Sequence, residues 1–252
     1  NMTQGGNNRK LLTIGGSGKL GKYCIEKWIT EEIVDKVWNF DLHKLQNNKV
    51  LNFTENILEE NGYKLITSVL REEKPLKIII FAGYDFPRNK DCENFFSPYS
   101  TSRNESLKSW EINCMLPLHL LKCIDENPYK NISITFIGSI YGNKLPKDTL
   151  YSDDGSIYKP VVYGMCKSAL EYLNKQASIT MAKIEGNCNL LRFGGIDINI
   201  DDAFKKRYSG LSPLKKMVSL ESVYQALSFV TFKNIKDLNG AVIDLDSAMR
   251  HT

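Results

Sequence analysis

Short apolar runs alternate with longer amphipathic segments along most of the chain. The apolar runs predict β-strands over 10–14, 36–40, 49–53, 77–82, 131–138, 187–193 and 241–246. Apolar residues at helical spacing predict helices that begin near residue 20 and cover 63–73, 105–126, 162–183 and 221–232. Pro117 should disturb the helix that contains it. Because strands that alternate with helices are parallel and joined by right-handed crossovers, the pattern predicts an α/β fold, a Rossmann-type doubly wound parallel β-sheet flanked by helices on both faces, as a single domain over 10–252.

A glycine-rich turn follows the first predicted strand. Gly15, Gly18 and Gly21 stand three residues apart, between that strand and the first helix. A strand, a glycine turn and a helix together direct the helix N-terminal amides at a phosphate, and glycine allows the backbone to approach it closely. We therefore expect a dinucleotide to contact the consecutive residues Gly15, Gly16, Ser17, Gly18, Lys19, Leu20 and Gly21.

Asp41 ends the second predicted strand, about 20 residues beyond the glycine turn. A carboxylate there accepts hydrogen bonds from the adenosine ribose hydroxyls and repels a 2′-phosphate, so Asp41 favours NAD(H) over NADP(H). Lys19, His43 and Lys44 keep NADP(H) open. The alternative interpretation of Asp41 is a solvated aspartate at a strand end.

Tyr163 and Lys167 are four residues apart in the predicted helix 162–183, and Ser139 follows the predicted strand 131–138. Helix residues four apart share a face, so both side chains project into the same space. An ammonium lowers the pKa of a nearby phenol, which is ordinarily near about 10. The pair is therefore suited to acid/base chemistry at a carbonyl or hydroxyl group. Alone, such a pair is more often a chance neighbour on a wet helix face, so this inference depends on the surrounding pattern.

In this order, the motifs resemble the short-chain dehydrogenase/reductase family over nearly the whole chain. The matching residues are the glycine turn, Asp41, Phe81, Ala82, Gly83, Asn113, Ser139, Tyr163, Lys167 and the run Arg192-Phe193-Gly194-Gly195-Ile196. Within the family, the segments Tyr84–Lys90 and Gly138–Gly142, followed by Pro146, are similar to the flagellin modification protein A group of bacterial sugar biosynthesis.

The resemblance implies an oxidoreductase that interconverts a secondary alcohol and a ketone, on a sugar, phosphosugar or nucleotide-sugar. Tyr163 would exchange a proton with the substrate oxygen, Lys167 would hold the nicotinamide ribose and lower the pKa of Tyr163, and Ser139 would orient the oxygen. Asn113 would anchor a water that relays protons to solvent. The further cofactor contacts that the resemblance implies are Leu42, Ala82, Gly83, Gly194 and Ile196, together with Tyr163 and Lys167.

Several positions depart from the usual family pattern. They are Ile14 before Gly15 in place of threonine, Phe81 in place of asparagine, Asn52 near the position of an adenine-binding aspartate, and Asp246-Ser247-Ala248 in place of Asp-Gly-Gly. None removes a catalytic group, so they bear on cofactor affinity and loop geometry and not on the type of reaction.

Three other functions remain open at this point. The first is an epimerase or dehydratase with tightly held NAD, suggested by the glycine spacing and Tyr141, although the chain after Gly195 is short for the substrate domain of such enzymes. The second is a reductase of non-sugar carbonyls. The third is a non-catalytic dinucleotide-binding sensor, against which the presence of Ser139, Tyr163 and Lys167 argues.

Charged and aromatic residues beside the predicted site suggest an anionic sugar derivative as the substrate. Two basic groups follow the fourth and sixth predicted strands: Arg88, Lys90 and Arg103, and Lys205, Lys206, Arg207, Lys215 and Lys216. They would bind a phosphate above the nicotinamide end of the site, or else form solvated surface. The stretch 143–160 is long for the family, and the nearby Tyr141, Tyr151 and Tyr158 either stack on a sugar or base or pack within the loop.

Charge and composition argue against other classes of protein. The net charge of +4 is too mild for a nucleic-acid binder, and no apolar run reaches the ~20 residues of a membrane helix. Residues 1–9 lack the apolar core of a signal peptide, so we expect a disordered tail and a cytoplasmic protein. The cysteines fit neither a zinc site nor a redox pair, so we expect no metal and buried free thiols at Cys24, Cys92, Cys114, Cys123, Cys166 and Cys188. The resemblance implies a homodimer or homotetramer that buries apolar helix faces.

Overall fold

The computed structural model describes residues 9–84, 97–153 and 158–252. Residues 1–8 of the predicted tail, Cys92 and the predicted contacts Arg88 and Lys90 lie outside these ranges, as does most of the segment Tyr84–Lys90. Arg9 was predicted to belong to the disordered tail, but its guanidinium forms an ion pair with Asp35 at 2.9 Å.

Seven parallel strands form one sheet in the order β3-β2-β1-β4-β5-β6-β7. The strands are β1 (Lys10–Ile14), β2 (Lys36–Phe40), β3 (Val50–Phe53), β4 (Lys77–Ile80), β5 (Ser133–Ser139), β6 (Asn187–Phe193) and β7 (Val242–Leu245). The strand order reverses between β1 and β4, which opens a crevice at the carboxyl ends of the strands. This topology confirms the predicted doubly wound sheet.

Helices cover both faces of this sheet. They are α1 (Lys19–Thr30), α2 (Glu60–Glu72), α3 (Arg103–Trp110), α4 (Leu116–Glu126), α5 (Val161–Ala182), α6 (Asp202–Leu211) and α7 (Leu220–Phe232). Alternation along β1 explains the two layers: Leu12 packs with α2, α4 and α5, while Leu11 packs with α1 and α7. Within the described ranges, every helix is too short or too polar to cross a bilayer.

Helix α6 is absent from the sequence prediction. Its sequence offers only Phe204 and Tyr208 as large buried residues, one turn apart among charged neighbours, so its periodic signal is weak. The two rings pack with Ile140 and Met217 in a small separate core beyond the carboxyl ends of the strands. This core decides the placement of α6.

Pro117 disturbs the predicted helix 105–126 without ending it. A π-helical turn over Glu111–Met115 separates α3 from α4, and Pro117 lies in the first turn of α4. Proline lacks an N–H, and its ring clashes with the carbonyl four residues earlier, which is that of Asn113. The widened turn is the physical result, and it contains Asn113 itself.

The described cysteines are free and buried, as predicted. They are Cys24, Cys114, Cys123, Cys166 and Cys188. Each thiol therefore acts as a small apolar core group, which is the usual role of an unpaired buried cysteine.

Candidate active site

A cleft of about 430 Å³ opens at the carboxyl ends of β1, β2 and β4. Its lining includes seven residues that were predicted from the sequence as cofactor contacts: Gly15, Ser17, Gly18, Asp41, Leu42, Ala82 and Gly83. Parallel strands place their carboxyl ends at one edge of the sheet, so residues from distant segments meet there. The cleft is the candidate site for the dinucleotide.

Gly15 shows why the turn needs glycine. Its φ is +76°, and a Cβ at this position would lie 2.5 Å from the backbone nitrogen of Ala82. Both the left-handed backbone and the close approach exclude a larger residue. The turn can therefore pass close to β4 and open the first turn of α1 towards the cleft.

The start of α1 fits an anionic group. Within the described part of the chain, no side chain caps the first amides of α1, and its first turn has no acidic residue. The uncapped amides and the positive end of the helix dipole favour a phosphate there. The predicted contacts Lys19 and Leu20 lie in this first turn, at the edge of the cleft and outside its lining.

Gly16 and Gly21, also predicted as cofactor contacts, are required for packing. A Cβ on Gly16 would lie 2.4 Å from the Oδ1 atom of Asn39, and one on Gly21 would lie 2.6 Å from the carbonyl oxygen of Gly16. Neither residue is part of the cleft lining. Their role is to let α1 approach the turn closely.

Asn39 holds the glycine turn against β2, and sequence reasoning missed it. This fully buried side chain accepts hydrogen bonds from the Gly16 amide at 3.1 Å and the Thr13 hydroxyl at 2.9 Å, and it donates to Ser17 Oγ at 2.9 Å. The available signal was an amide residue inside an apolar strand, since a buried polar group needs partners. Asn39 stabilises this turn in a chain that has Phe81 where the family usually has asparagine.

Asp41 lies at the end of β2 with its side chain 13% exposed. Its two carboxylate oxygens accept hydrogen bonds from the amides of Ser17 and His43, each at 2.9 Å. Asn52 does not line the cleft: its side chain bonds both backbone groups of Leu45. The cleft is bounded near Asp41 by Asn56 and its neighbours.

A second cavity of about 260 Å³, the inner cavity, contains the predicted catalytic group. Its lining includes Ser139, Tyr163, Lys167, Gly194 and Ile196. Lys167 is only 5% exposed, its Nζ donates to the Ile137 carbonyl at 3.1 Å, and it lies 5.7 Å from the centroid of the Tyr163 ring. The ammonium therefore stands beside the phenol, as the helical spacing predicts.

Ser139 is the last residue of β5 and is 8% exposed. Its Oγ accepts a hydrogen bond from the Tyr141 amide at 3.2 Å, which fixes the side chain at the start of the following turn. Because an accepting hydroxyl keeps its own proton, Ser139 can still donate to a substrate oxygen.

Asn113 reaches the same region from the π-helical turn. Its Nδ2 donates to the Ser109 carbonyl at 2.9 Å and to the Tyr84 carbonyl at 3.2 Å, while its Oδ1 is buried without a partner among the described residues. A Cβ on Gly83 would lie 3.5 Å from this oxygen and 3.6 Å from Lys167 Nζ. Glycine at position 83 thus leaves a small space between the two polar groups, and a buried carbonyl oxygen in such a space calls for a water or ligand partner.

Helix α6 forms one wall of the inner cavity. Phe204 and Tyr208 both line it, and the Tyr208 hydroxyl accepts a hydrogen bond from the Gly195 amide at 2.9 Å. A Cβ on Gly194 would lie 2.5 Å from this hydroxyl. The glycine pair after β6 therefore allows α6 to close over the site.

No family model matches the sequence, and no curated protein matches it either. Solved structures match nearly the whole chain. A short-chain dehydrogenase from Leptospira borgpetersenii with bound NAD+ is 20% identical, with 99% of this chain and 98% of that chain covered and a TM-score of 0.82. The chain has the short-chain dehydrogenase fold.

Two further solved structures share this fold over nearly the whole chain. An aldohexose dehydrogenase from Thermoplasma acidophilum, in ligand-free form, is 15% identical over 97% of this chain and 94% of that one, with a TM-score of 0.77. ElxO with NADP bound is 15% identical over 97% of this chain and 99% of that one, with a TM-score of 0.75. At these identities the likeness establishes the fold, and the chemistry must be argued from the residues of this chain.

An outer cavity of about 480 Å³ adjoins the inner cavity of this short-chain dehydrogenase fold. Tyr141, Tyr151 and Lys159 line both, and Tyr158 lines the outer one. The Tyr151 hydroxyl donates to the Tyr141 hydroxyl at 3.2 Å. Of the three tyrosines that were predicted either to stack on a ligand or to pack within the loop, Tyr141 and Tyr151 are thus hydrogen-bonded to each other at the boundary between the two cavities.

The described members of the predicted phosphate-binding groups line none of these cavities. Lys205 pairs with Asp197, and Arg207 donates to the Leu150 carbonyl at 3.0 Å and the Tyr151 carbonyl at 3.3 Å. Arg207 thus supports the loop that carries Tyr151. The structure gives these two basic side chains protein partners that their positions in the sequence do not reveal.

A buried ion-pair network fixes α5 to the sheet behind the catalytic pair. Arg192 of β6 forms a two-point contact with Asp244, at 2.6 and 3.2 Å, and its guanidinium lies 3.4 Å from Glu171. Burial raises the pKa of Glu171, and the charge of Arg192 opposes this effect. Since Glu171 is one helical turn beyond Lys167, the network restrains the helix that positions Lys167. The signal in the sequence was an arginine within an apolar strand.

Proposed function

We propose that the protein is a nicotinamide-dinucleotide-dependent oxidoreductase that interconverts a secondary alcohol and a ketone. The main support is the grouping of Ser139, Tyr163 and Lys167 around one cavity, with the Lys167 ammonium 5.7 Å from the Tyr163 ring. A phenol next to a buried ammonium can gain and lose a proton near neutral pH, which reduction or oxidation at a carbonyl carbon requires.

The cleft residues fit a dinucleotide. Gly15 to Gly18 and the uncapped start of α1 would hold the pyrophosphate, Asp41 would bind the adenosine ribose, and Lys167 would bind the nicotinamide ribose. When bound, the nicotinamide supplies the hydride chemistry. The protein supplies the position of the substrate and the transfer of the proton.

The proton transfer is assigned to four side chains. Tyr163 gives its proton to the substrate oxygen during reduction and takes it back during oxidation. Lys167 favours the phenolate between these events, and Ser139 donates a hydrogen bond that orients the oxygen. Asn113 Oδ1, buried without a partner among the described residues, is suited to hold a water near Lys167.

We propose NAD(H) as the preferred cofactor. Asp41 places a carboxylate 13% exposed at the edge of the cleft, and a 2′-phosphate in this region would meet its negative charge. Fluorescence titration should give tighter binding of NADH than of NADPH. Asp41→Ala should reduce this ratio, and equal affinities in the wild-type protein would contradict the assignment.

A sugar derivative is the proposed substrate, in bacterial surface-glycan synthesis as in the flagellin modification protein A group. Its support is the resemblance of Gly138–Gly142 to that group and the five described residues with hydroxyl groups that line the inner cavity, Ser139, Tyr141, Tyr151, Tyr163 and Tyr208. Hydroxyl groups suit a polyhydroxylated ligand because they both donate and accept. The buried free thiols suit a reducing compartment, which supports the cytoplasm as the location.

We also propose that the protein forms a homo-oligomer through α5. Tyr172 and Ile179 on this helix are 72% and 61% exposed, two turns apart on one face, and the neighbouring α3 exposes Trp110. A row of exposed apolar residues on adjacent helices is typical of an interface. Tyr172→Asp together with Ile179→Asp should lower the mass measured by light scattering, and a wild-type monomer at micromolar concentration would refute the proposal.

Tyr163→Phe tests the main proposal. This substitution removes only the hydroxyl that exchanges the proton, so turnover should fall at least about 100-fold while NADH binding stays within about twofold. The assay follows nicotinamide absorbance with a panel of sugars, phosphosugars and nucleotide-sugars and both cofactors. Tyr172→Phe, on the same helix but exposed, is the matched control and should keep full activity. Turnover that survives in Tyr163→Phe would refute the mechanism. If the protein is instead a non-catalytic sensor, the wild-type protein should bind the dinucleotide and show no turnover.

A further inference from the structure

Lys159 occupies a position that neither the glycine turn nor the Tyr163–Lys167 pair accounts for. It precedes Pro160, whose ring favours an extended backbone at the preceding residue, and α5 begins directly afterwards. Its Nζ lies 4.1 Å from the centroid of the Tyr163 ring, closer than Lys167 Nζ at 5.7 Å. Two ammonium groups therefore flank the same phenol.

Lys159 also stands at the junction of the inner and outer cavities, where it lines both together with Tyr141 and Tyr151. The hydrogen bond between the two tyrosine hydroxyls, at 3.2 Å, joins these rings at the same boundary. A substrate that extends from Ser139 into the outer cavity must therefore pass Lys159.

Most of the charged side chains among the described residues that line this passage are positive. Among the described residues that line the inner cavity, the charged side chains are Lys159 and Lys167, and none is a carboxylate. Among its described lining residues, the outer cavity adds Lys144, Lys147 and one carboxylate, that of Asp148. Isoleucine, phenylalanine and methionine side chains form much of the inner wall, and such low-dielectric surroundings strengthen the attraction between a fixed cation and an anion.

Each of the other described lysines at this site lines only one of the two cavities, Lys144 and Lys147 the outer one and Lys167 the inner one. Lys144 Nζ donates to the backbone carbonyls of Met249 and Thr252, and Lys147 is exposed. Lys167 donates to the Ile137 carbonyl and has the predicted role of holding the cofactor ribose. Lys159 is the lysine whose ammonium lies against the catalytic ring and faces both cavities.

We propose that Lys159 binds an anionic substituent of the substrate, a phosphate or a carboxylate, at the mouth of the inner cavity while the reacting carbon faces Tyr163. This inference rests on the proposed oxidoreductase function and narrows its substrates to compounds that have a negative group close to the reacting carbon. It assigns anion binding to Lys159 and not to the basic residues around Lys205. Lysine suits this role because its ammonium is a compact charge with three donors.

The test is calorimetric titration with two anions, inorganic pyrophosphate for the phosphate class and citrate for the carboxylate class, each with and without saturating NADH. The wild-type protein should bind at least one anion with NADH present, and Lys159→Met should bind that anion at least about tenfold more weakly. Lys159→Arg, which keeps the charge, should remain within about threefold. Lys206→Met removes the same charge from an exposed site on α6 outside the cavities and should bind like the wild-type protein.

Loss of pyrophosphate binding alone identifies a phosphate-bearing substrate, loss of citrate binding alone identifies a carboxylate, and loss of both supports the shared anion site. Equal binding by Lys159→Met and the wild-type protein, or no binding of either anion by the wild-type protein, would overturn the inference. Circular dichroism checks that Lys159→Met is folded, and Lys159→Gln replaces it if it is not. A wild-type protein that binds neither NADH nor NADPH would reject the proposed function instead. The citrate titration without cofactor would still decide the role of Lys159, whereas pyrophosphate without cofactor can also bind at the glycine turn.

Discussion

Replacing Asn39 with leucine tests whether a buried amide, and not the glycines alone, holds the dinucleotide-binding turn in shape. Asn39 Oδ1 accepts hydrogen bonds from the Gly16 amide at 3.1 Å and from the Thr13 hydroxyl at 2.9 Å. Leucine has a similar size but no polar atom. Both donors therefore lose their acceptor in a fully buried position.

The expected cost follows from the number of groups left without a partner. A buried donor that loses its acceptor costs about 1–3 kcal/mol, so two donors should cost about 2–6 kcal/mol of unfolding free energy. The two acceptors that Asn39 Nδ2 serves, Ser17 Oγ and Asn52 Oδ1, keep other hydrogen bonds and add little. Because the Gly16 amide is no longer held, the turn should also bind NADH at least about tenfold more weakly.

Urea denaturation followed by circular dichroism measures the stability, and fluorescence titration measures the NADH affinity. Ser17→Ala is the matched control: it removes one partner of Asn39 but leaves both bonds to Oδ1, so its stability should fall by less than about 1 kcal/mol. If Asn39→Leu unfolds within about 0.5 kcal/mol of the wild-type protein and binds NADH equally well, the account of the turn is wrong.

Three further substitutions test other parts of the structure by urea denaturation. Arg192→Met removes the two-point partner of the partly buried Asp244 carboxylate, which keeps Arg250 at 3.4 Å, and should cost about 2 kcal/mol; a loss below about 0.5 kcal/mol would show that the network contributes little. Lys77 is buried, and desolvation lowers its pKa from 10.5 to about 8. Between about pH 8 and 10.5 the unfolded chain therefore binds more protons than the folded protein, so the stability of the wild-type protein should rise with pH in that window. Lys77→Met should be more stable than the wild-type protein at pH 7 and should lack this rise. Ala248 has a φ of +62°, so Ala248→Gly should stabilise the protein by about 1 kcal/mol, and a loss of stability would contradict the assigned strain.

The structure shows how the chain accommodates one departure from the family pattern, the turn after β7. Ser247 and Ala248 replace the usual glycine pair, and both have left-handed backbones, with φ of +56° and +62°. Asp246 holds this turn, since its carboxylate accepts hydrogen bonds from the amides of Ala248 at 3.1 Å and Arg250 at 2.8 Å. A carboxylate partner thus keeps a conformation that glycine would adopt without strain.

Periodicity in the sequence was sufficient to predict the sheet. All seven predicted strands agree with the observed ones to within two residues at each end. Buried parallel strands are continuous apolar runs, a signal that is local in the sequence. The edge that holds Gly15, Asp41, Ser139 and the end of β6 was predictable for the same reason, because in a parallel sheet the carboxyl ends of all strands lie together.

Local spacing also determined the Tyr163–Lys167 pair, since residues four apart on a helix share a face in any tertiary context. Local spacing does not predict contacts between segments that are distant in the sequence. Asn39 meets Gly16, 23 residues away, and Arg207 meets Leu150, 57 residues away.

Only the packing of helices on the sheet decides such contacts, and no local periodicity encodes them. This is why the tertiary structure alone shows that Lys205 and Arg207 have protein partners and that Lys159 lies against the ring of Tyr163. The sequence by itself determined where the strands lie along the chain and which candidate site residues follow them. The folded structure decided which side chains share the two cavities beside Tyr163.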